Sequence, residues 1–320
     1  MKYIIKSTPE DFFVKEIISL KSSDSGIFSY YTMKKKGIST IEAAAIVCQK
    51  LKIPRKRFGF AGTKDRISVS EQAVSVEGGA EKDFDFGNIT LEFIGKGSSP
   101  INLGDNSGNY FEIILRQVKE SPKEKDWFIN YFDDQRFSNN NEKIGKAIIK
   151  KEFRHAVDLI LQNNKSGYER SVKQHIEKNP SDFIGAMRKI DTKILRMYVH
   201  AFQSYLWNRK VSGMFSSENS LRVEYSLGTL NVPAVKPKNC PVEIPGFGSE
   251  KISEEDISPR DFIVREIPGI SSEGDSREIL IDVNDLKIEN NEKEILKLYF
   301  TLPKGSYATM FIKQLFSGSS

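Results

Sequence analysis

Cysteine and histidine are scarce in this sequence, and their scarcity argues against several classes of site. There are 2 cysteines, Cys48 and Cys240, and 3 histidines among the 320 residues. The cysteines lie far apart and form no Cys-x-x-Cys pair, so neither a disulfide framework nor a cysteine zinc site is indicated. No His-Glu-x-x-His motif is present either. We therefore expect a protein that uses no metal ion.

Long apolar runs are also absent. No segment approaches the roughly 20 apolar residues that a membrane helix needs. The start of the chain, Met1-Lys2-Tyr3-Ile4-Ile5-Lys6, lacks the apolar core of a signal peptide. These absences predict a cytoplasmic protein with no membrane partner. At roughly 150 residues per domain, the length predicts two domains.

Positive charge is concentrated near the N-terminus. The whole chain has a net charge of +5, but residues 1–70 contain 14 Lys and Arg against 6 Asp and Glu. The densest basic runs are Lys34-Lys35-Lys36 and the segment 52–57. Basic runs near aromatic residues can bind a nucleic-acid backbone by displacing its counterions. Composition alone favours the simpler interpretation, a solvated charged surface.

Periodic patterns predict strands towards both ends of the chain and helices in its middle. The predicted strands cover residues 12–17, 28–33, 72–76, 89–93, 111–115, 261–267, 278–283 and 296–301. The predicted helices cover residues 40–51, 142–161, 192–211 and 308–315. A capping box at Ser39-Thr40-Ile41-Glu42 begins the first helix, and Pro54 stops it. Residues 213–259 are rich in Ser, Gly and Pro, which indicates an irregular connection or short β elements.

Residues 9–17 and 259–267 resemble each other at opposite ends of the chain. They share six of nine identities, including the pattern Pro-x-Asp-Phe. Two turn-strand units could have converged on the same chemistry. Alternatively, both segments enter one sheet. The second interpretation predicts a discontinuous domain of residues 1–138 and 260–320, interrupted by an inserted domain of residues 139–259 with a helical first half.

The most distinctive motif is Gly62-Thr63-Lys64-Asp65-Arg66. Its glycine lets the loop backbone approach a ligand closely, and a carboxylate between two cations should stay ionised. The motif is not a Walker A loop, because Asp rather than Ser or Thr follows the lysine. On this pattern alone, an ordinary charged turn is the better explanation.

Three further motifs could carry chemistry. In Gly108-Asn109-Tyr110-Phe111, the alternation predicts Phe111 in the core. Residues 130–138 interleave aromatics with Gln135 and Arg136, which suits base stacking and phosphate pairing, although a packed turn explains them equally well. Residues 300–309 form a strand-turn-helix pattern that contains Tyr307.

Together with Pro9-Glu10-Asp11-Phe12 and residues 201–208, these motifs resemble the TruD family of tRNA pseudouridine synthases. The match is collinear from about Lys6 to Leu315. The resemblance implies an α+β fold, in which a pseudouridine synthase catalytic domain with a mixed, mainly antiparallel sheet is interrupted by a smaller inserted TRUD domain. It implies isomerisation of uridine-13 of tRNA to pseudouridine without a cofactor. We expect a monomer whose partner is tRNA.

The resemblance also implies roles for individual residues. Asp65 matches the catalytic aspartate, which would attack the anomeric carbon or remove the neighbouring sugar proton. Positions that match the target-nucleotide pocket are Phe12, Asn109, Tyr307, the stacking aromatic Phe111, and Lys6 as the basic neighbour of Asp65. Candidate contacts to the RNA backbone are Lys64, Arg66, Arg55, Lys56, Arg57 and Arg136.

The sequence departs from the family pattern at Asp133 and Ser138, where the family usually has glycine. Asp133 is expected to add negative charge near the RNA. Two other interpretations stay open. The chain could be the same isomerase acting on another RNA, or a non-catalytic RNA-binding protein of the same fold. The intact loop 62–66 argues against the second.

Overall fold

Both ends of the chain contribute to each of two structural units. A computed structural model describes residues 3–163, 167–217, 219–252, 256–292 and 294–318. The unit that we call the sheet unit comprises Met1–Trp127 and Ile281–Ala308. The helical unit comprises Phe128–Leu280 and Thr309–Ser320. The domain boundaries expected from the sequence, at 138/139 and 259/260, stay a prediction.

In the described part of the sheet unit, nine strands form one sheet. They are β1 (Phe12–Ile17), β2 (Phe28–Lys36), β3 (Phe58–Phe60), β4 (Val69–Glu77), β5 (Phe84–Asp85), β6 (Ile89–Gly97), β7 (Gly108–Arg116), β14 (Asn284–Glu292) and β15 (Ile295–Pro303). Their order is β14-β15-β7-β1-β4-β2-β6-β5, and β3 pairs with β4. Strands β1 and β4 run parallel, whereas the neighbouring pairs β1·β7, β7·β15 and β2·β4 are antiparallel. The sheet is mixed and mainly antiparallel, which confirms the predicted fold class.

Helix α1 (Thr40–Leu51) covers one face of this sheet, and it begins where the capping box predicted. The Ser39 side chain accepts a hydrogen bond from the Glu42 main chain, and the Glu42 carboxylate accepts one from the Ser39 main chain at 3.1 Å. The apolar side of α1 packs against buried residues of β2 and β4. Burial of this side, rather than helix propensity, supplies most of the stability of such a helix.

The two similar segments fold alike only in their first residues. Both begin with a 3-10 turn closed by a capping box, from Thr8 to Asp11 and from Ser258 to Asp261. After the first turn the chain enters β1, which has β4 and β7 as partners. After the second turn there is no strand, and Phe262 packs into the core of the helical unit. The predicted strand 261–267, and with it the shared sheet, is therefore wrong, because the repeated residues specify a turn.

The helical unit contains most of the described helices of the chain. Its elements are α2 (Asp134–Phe137), α3 (Asn141–Ile149), α4 (Phe153–Gln162), α5 (Glu169–Lys178), α6 (Phe183–Met187), α7 (Thr192–Met214), β9 (Leu221–Tyr225), β10 (Gly228–Val232), β11 (Pro241–Ile244) and β12 (Asp275–Glu278). The predicted helix 142–161 is two helices, separated near Lys151, whose φ is 61°. Strands β8 (Trp127–Ile129) and β13 (Leu280–Asp282) and helix α8 (Ala308–Leu315) span the unit boundaries. Among the residues described, no helix is both long and apolar enough to cross a membrane.

Candidate active site

The loop between β3 and β4 carries Asp65, and a buried lysine fixes its main chain. Lys35, on β2, is 1% exposed. Its Nζ donates to the carbonyl oxygens of Asp65 at 2.9 Å and of Ile38 at 2.7 Å. Burial lowers the pKa of Lys35 to about 8, against the opposing attraction of the Asp65 carboxylate. The loop therefore rests on a cation that is charged at neutral pH but close to its titration.

The N-terminus of α1 and strand β4 hold the residues on the N-terminal side of Asp65. The main-chain N–H of Lys64 donates to Thr40 Oγ1 at 2.8 Å. The Thr40 hydroxyl donates to Gln72 Oε1 at 2.7 Å, and Gln72 Nε2 donates to the Gly62 carbonyl oxygen at 2.8 Å. The Thr40 and Gln72 side chains are buried, so the loop is anchored by groups that have few alternative partners.

A second lysine binds the carboxylate of Asp65. Lys6 Nζ lies 2.5 Å from Asp65 Oδ2, and the two side chains are 21% and 32% exposed. The same Nζ lies 4.2 Å from the centroid of the Phe12 ring, a cation–π distance. Lys6 has a φ of 57°, in the left-handed region. The carboxylate is thus ion-paired and oriented, yet open enough for a ligand to reach it.

Three aromatic side chains follow one another across the sheet beside Lys6. Phe12 on β1 and Phe111 on β7 meet edge to face, with centroids 6.1 Å apart. Phe300 on β15 stacks on Phe111, with centroids 5.3 Å apart and planes 25° from parallel. Phe111 is 6% exposed. The alternation in β7 correctly predicted a buried Phe111, and Phe300 covers part of the ring expected to stack on a base.

Asn109 presents an unpaired acceptor to the same side of the sheet. Two residues before Phe111 on β7, it lies opposite Glu16 of β1 and Leu302 of β15. Its Oδ1 is buried and has no hydrogen-bond partner. A buried polar atom without a partner is unusual in a folded protein, and a ligand is one common explanation. Tyr307 follows the turn after β15 and is half-buried.

The two cations that flank Asp65 in the sequence point to different environments. The Lys64 ammonium pairs with Glu16 at 2.6 Å, and the two side chains are 8% and 0% exposed. It therefore does not face solvent, where a phosphate would meet it. Arg66 is largely exposed and forms an ion pair with Glu42. Of these two candidate backbone contacts, only Arg66 lies on the surface.

The basic run near residue 55 is on the surface of the sheet unit. Residues Arg55–Arg57 form a 3-10 turn in which no residue is buried. Arg55 Nη1 donates to the carbonyl oxygen of Phe58 at 2.6 Å, and Arg57 Nε lies 3.9 Å from Glu77 Oε2. The cations of this turn are therefore exposed, although two of them also have contacts within the protein.

Arg136 and Asp133 both make internal contacts in the helical unit. Arg136 Nε donates to Ser204 Oγ at 3.0 Å, and its guanidinium lies 5.5 Å from the Phe132 ring centroid. Asp133 is 2% exposed and pairs with Lys313 at 2.6 Å. The expectation that Asp133 adds negative charge at an RNA surface is therefore not met, because this carboxylate is buried and ion-paired.

Lys35 and Glu16 are functional candidates that the sequence motifs did not indicate. Phe12, Val14 and Glu16 alternate on the buried side of β1, so the period of two already placed a carboxylate in the interior. Lys35 was hidden in a lysine run that suggested a solvated surface. Its role depends on contacts with residues far along the chain, which the local pattern does not contain.

Candidate metal ligands are not gathered around Asp65. Within the described residues, no group of three or more His, Cys, Asp or Glu side chains could hold a metal ion. Both cysteines are free thiols, with Cys48 buried and Cys240 half-buried. The described neighbours of the Asp65 carboxylate and carbonyl are instead lysine ammonium groups and a serine hydroxyl.

Comparison with known proteins agrees with this geometry. The family model "tRNA pseudouridine synthase D (TruD)" matches residues 1–167, 163–226 and 244–315. The tRNA pseudouridine synthase D of Aquifex aeolicus is 30% identical, over 98% of this chain and 97% of the relative. A crystal structure from Methanosarcina mazei, described as a candidate TruD, superposes with a TM-score of 0.67 at 24% identity. It covers 97% of this chain and 92% of that one, and it supports the fold.

Proposed function

The chain belongs to the TruD family of tRNA pseudouridine synthases, and on that premise we propose that it isomerises uridine-13 of tRNA to pseudouridine, with Asp65 as its catalytic residue. The single observation that carries the proposal is the arrangement of Asp65. Its main chain is fixed by buried Lys35, and its carboxylate is bound by Lys6 yet partly exposed. A catalytic group needs this combination of fixed position and access.

The reaction requires no external reagent. The bond from N1 of uracil to the sugar breaks, the base turns, and a bond from C5 to the same sugar carbon forms. The hydrogen lost from C5 is balanced by one gained at N1, so substrate and product have the same composition. The Asp65 carboxylate would act at the sugar, by attack on the anomeric carbon or by removal of the neighbouring proton. Lys6 would keep the carboxylate ionised and aimed.

The surroundings of Asp65 suit a base that has left its stack. A flipped base needs an aromatic or apolar wall and polar atoms for its edge. Phe12 lies under Lys6 and packs against Phe111, and the unpaired Asn109 Oδ1 is on the same strand as Phe111. All these residues belong to the sheet unit. They would hold the detached uracil by contacts and hydrogen bonds alone.

The proposal is tested by mapping pseudouridine in an unmodified tRNA transcript. The protein, the Asp65→Asn variant and the control Asp24→Asn, which alters an exposed aspartate, are each incubated with the RNA. A carbodiimide primer-extension assay then locates the product. We expect modification at uridine-13 with the protein and with Asp24→Asn, and none with Asp65→Asn.

Each other outcome identifies what is wrong. Modification at a different RNA or position would refute uridine-13 while leaving the isomerase activity intact. Equal activity of Asp65→Asn would refute the role of Asp65. Binding of tRNA with no product under any condition would favour a non-catalytic RNA-binding protein.

A further inference from the structure

One oxygen of a buried carboxylate in the sheet unit has no partner. The side chain of Glu16 is 0% exposed. Its Oε1 accepts a hydrogen bond from Lys64 Nζ at 2.6 Å. Its Oε2 is also buried but accepts none. Lys64 precedes Asp65 directly, so this carboxylate is joined to the loop that carries the proposed catalytic residue.

A second unpaired acceptor lies next to Glu16. Asn109 is opposite Glu16 in the antiparallel pairing of β1 with β7. Directly opposed residues of such a pair have Cβ atoms about 4.5–5.5 Å apart and point to the same face. Asn109 Oδ1 is likewise buried without a partner. Two acceptor oxygens on neighbouring strands therefore await donors at the same place.

Nearby protein groups leave this carboxylate oxygen without a donor. The Gln72 amide on β4 is already bound to Thr40 and Gly62. Gly62 packs closely over the ion pair, since a Cβ there would lie 3.3 Å from both Glu16 Oε1 and Lys64 Nζ. A carboxylate that is removed from water needs hydrogen bonds at both oxygens to be stable. A donor from outside the protein would complete the set.

We propose that Glu16 is a specificity residue, whose Oε2 accepts the N3–H hydrogen bond of the target uracil. The inference rests on the proposed function. Uracil has a donor at N3, whereas cytosine has a lone pair there, which a carboxylate oxygen repels. Lys64 has further N–H groups that can donate to a carbonyl oxygen beside N3. Uridine has one ring N–H and pseudouridine has two, so a pair of acceptors, Glu16 and Asn109, suits both ends of the reaction.

The alternative is that the Glu16–Lys64 pair only braces the loop. The two roles separate when an atom of the RNA is changed together with the residue. Replacing the target uridine with 3-deazauridine exchanges N3–H for C–H, which cannot donate comparably. Glu16→Gln keeps the size of the side chain. Because Lys64 can only donate, it holds the amide oxygen, and the NH₂ group then faces the base.

Binding is measured in the inactive Asp65→Asn protein, with tRNA that carries uridine or 3-deazauridine at the target. With Glu16 present, we expect 3-deazauridine to weaken binding about tenfold or more, the typical size for a hydrogen bond to a charged group. In Glu16→Gln, uridine RNA should bind about tenfold more weakly and the difference between the RNAs should fall below about twofold. The control Glu71→Gln, on β4 and ion-paired with Lys34, should keep the full difference.

Two results would overturn the proposal. Equal affinity for the two RNAs with Glu16 in place would do so without any change at Glu16, so the test survives a variant that folds poorly. Equal penalties for 3-deazauridine with Glu16 in place and in the Glu16→Gln variant would reduce the pair to a brace. If the unsubstituted protein forms pseudouridine while either result holds, this inference alone fails. If it forms none, the proposed function fails.

Discussion

Lys35 Nζ donates to the carbonyl oxygen of Asp65 across 2.9 Å, so a buried cation on β2 supports the main chain of a residue whose carboxylate is bound by another cation, Lys6. The two lysines have separate effects. Lys35 sets where the residue is, and Lys6 sets where its carboxylate points. Both distances join residues that are far apart in the sequence.

Removing the buried ammonium should lower the rate more than the affinity. Lys35→Met keeps a long side chain but loses both hydrogen bonds, to Asp65 and Ile38. Because small displacements of a reacting group are costly, we expect kcat to fall about tenfold to a hundredfold with KM little changed. Single-turnover kinetics provide the measurement. Lys34→Met, which removes the neighbouring exposed lysine, is the control. An unchanged kcat in Lys35→Met would show that the loop does not need this support.

The same lysine predicts a pH dependence of opposite sign for activity and for stability. The pKa of Lys35 is lowered by burial from 10.5 to about 8. Activity that needs its charge should fall as the pH rises through about 8, and this limb should be missing in Lys35→Met. The native state releases the proton before the unfolded chain does, so this group should make the free energy of unfolding rise between pH 8 and 10.5. A pH–rate profile that is flat to about pH 10 would contradict the first claim, because the ordinary lysine pKa is about 10.4.

Removing the partner of the carboxylate should also reduce activity. Lys6→Met abolishes the ion pair with Asp65 and the contact with Phe12, and we expect the rate of pseudouridine formation to fall at least about tenfold. Lys6→Arg keeps a cation at this position and should recover part of the rate. If Lys6→Met and Lys6→Arg are equally impaired, charge at this position is not what matters.

In the helical unit, His200 should make stability sensitive to acid. Burial lowers its pKa from 6.5 to about 4, and the charges of Arg136 and Arg196 act in the same direction. Between these values the unfolded chain binds a proton that the native state does not, so the free energy of unfolding falls as the pH falls. For this half-buried group the loss should be about 1–2 kcal/mol. Urea denaturation at about pH 7 and about pH 4.5 should show a smaller loss in His200→Gln than in His155→Gln, which alters an exposed histidine. The same loss in both would exclude His200 as the cause.

The exposed basic turn predicts a salt-dependent affinity for tRNA. Changing Arg55, Lys56 and Arg57 together to alanine should weaken binding and reduce the log–log slope against salt concentration by up to about 3 units. The contacts of Arg55 and Arg57 within the protein place the expected value below this limit. Titrations at several salt concentrations measure it. An unchanged slope would place the turn away from the bound RNA.

Local patterns in the sequence predicted the elements whose cause is local. The capping box at Ser39 identified the start of α1, and alternation identified β1 and the buried side of Phe111. The same reasoning failed at residues 261–267, because a strand needs partners and the pattern cannot show whether they exist. It also placed Lys64 among the RNA contacts, although a buried carboxylate 48 residues away holds its ammonium.

The function of Asp65 depends on this same distinction. Its motif suggested no more than a charged turn until the contacts with Lys6 and Lys35 joined it to two other parts of the chain. Glu16 and Asn109 become neighbours only through the register of β1 and β7. Residues that act together in this site are therefore found from pairing in space, and a single sequence supplies only the types of side chain.

The most direct measurement is the release of tritium from tRNA labelled at C5 of uridine, because only formation of the new carbon bond removes that hydrogen. The account predicts that the protein releases up to one equivalent per tRNA, that replacing uridine-13 with cytidine abolishes the release, and that Asp65→Asn releases none. Undiminished release by Asp65→Asn, or no release by the protein itself, would contradict it.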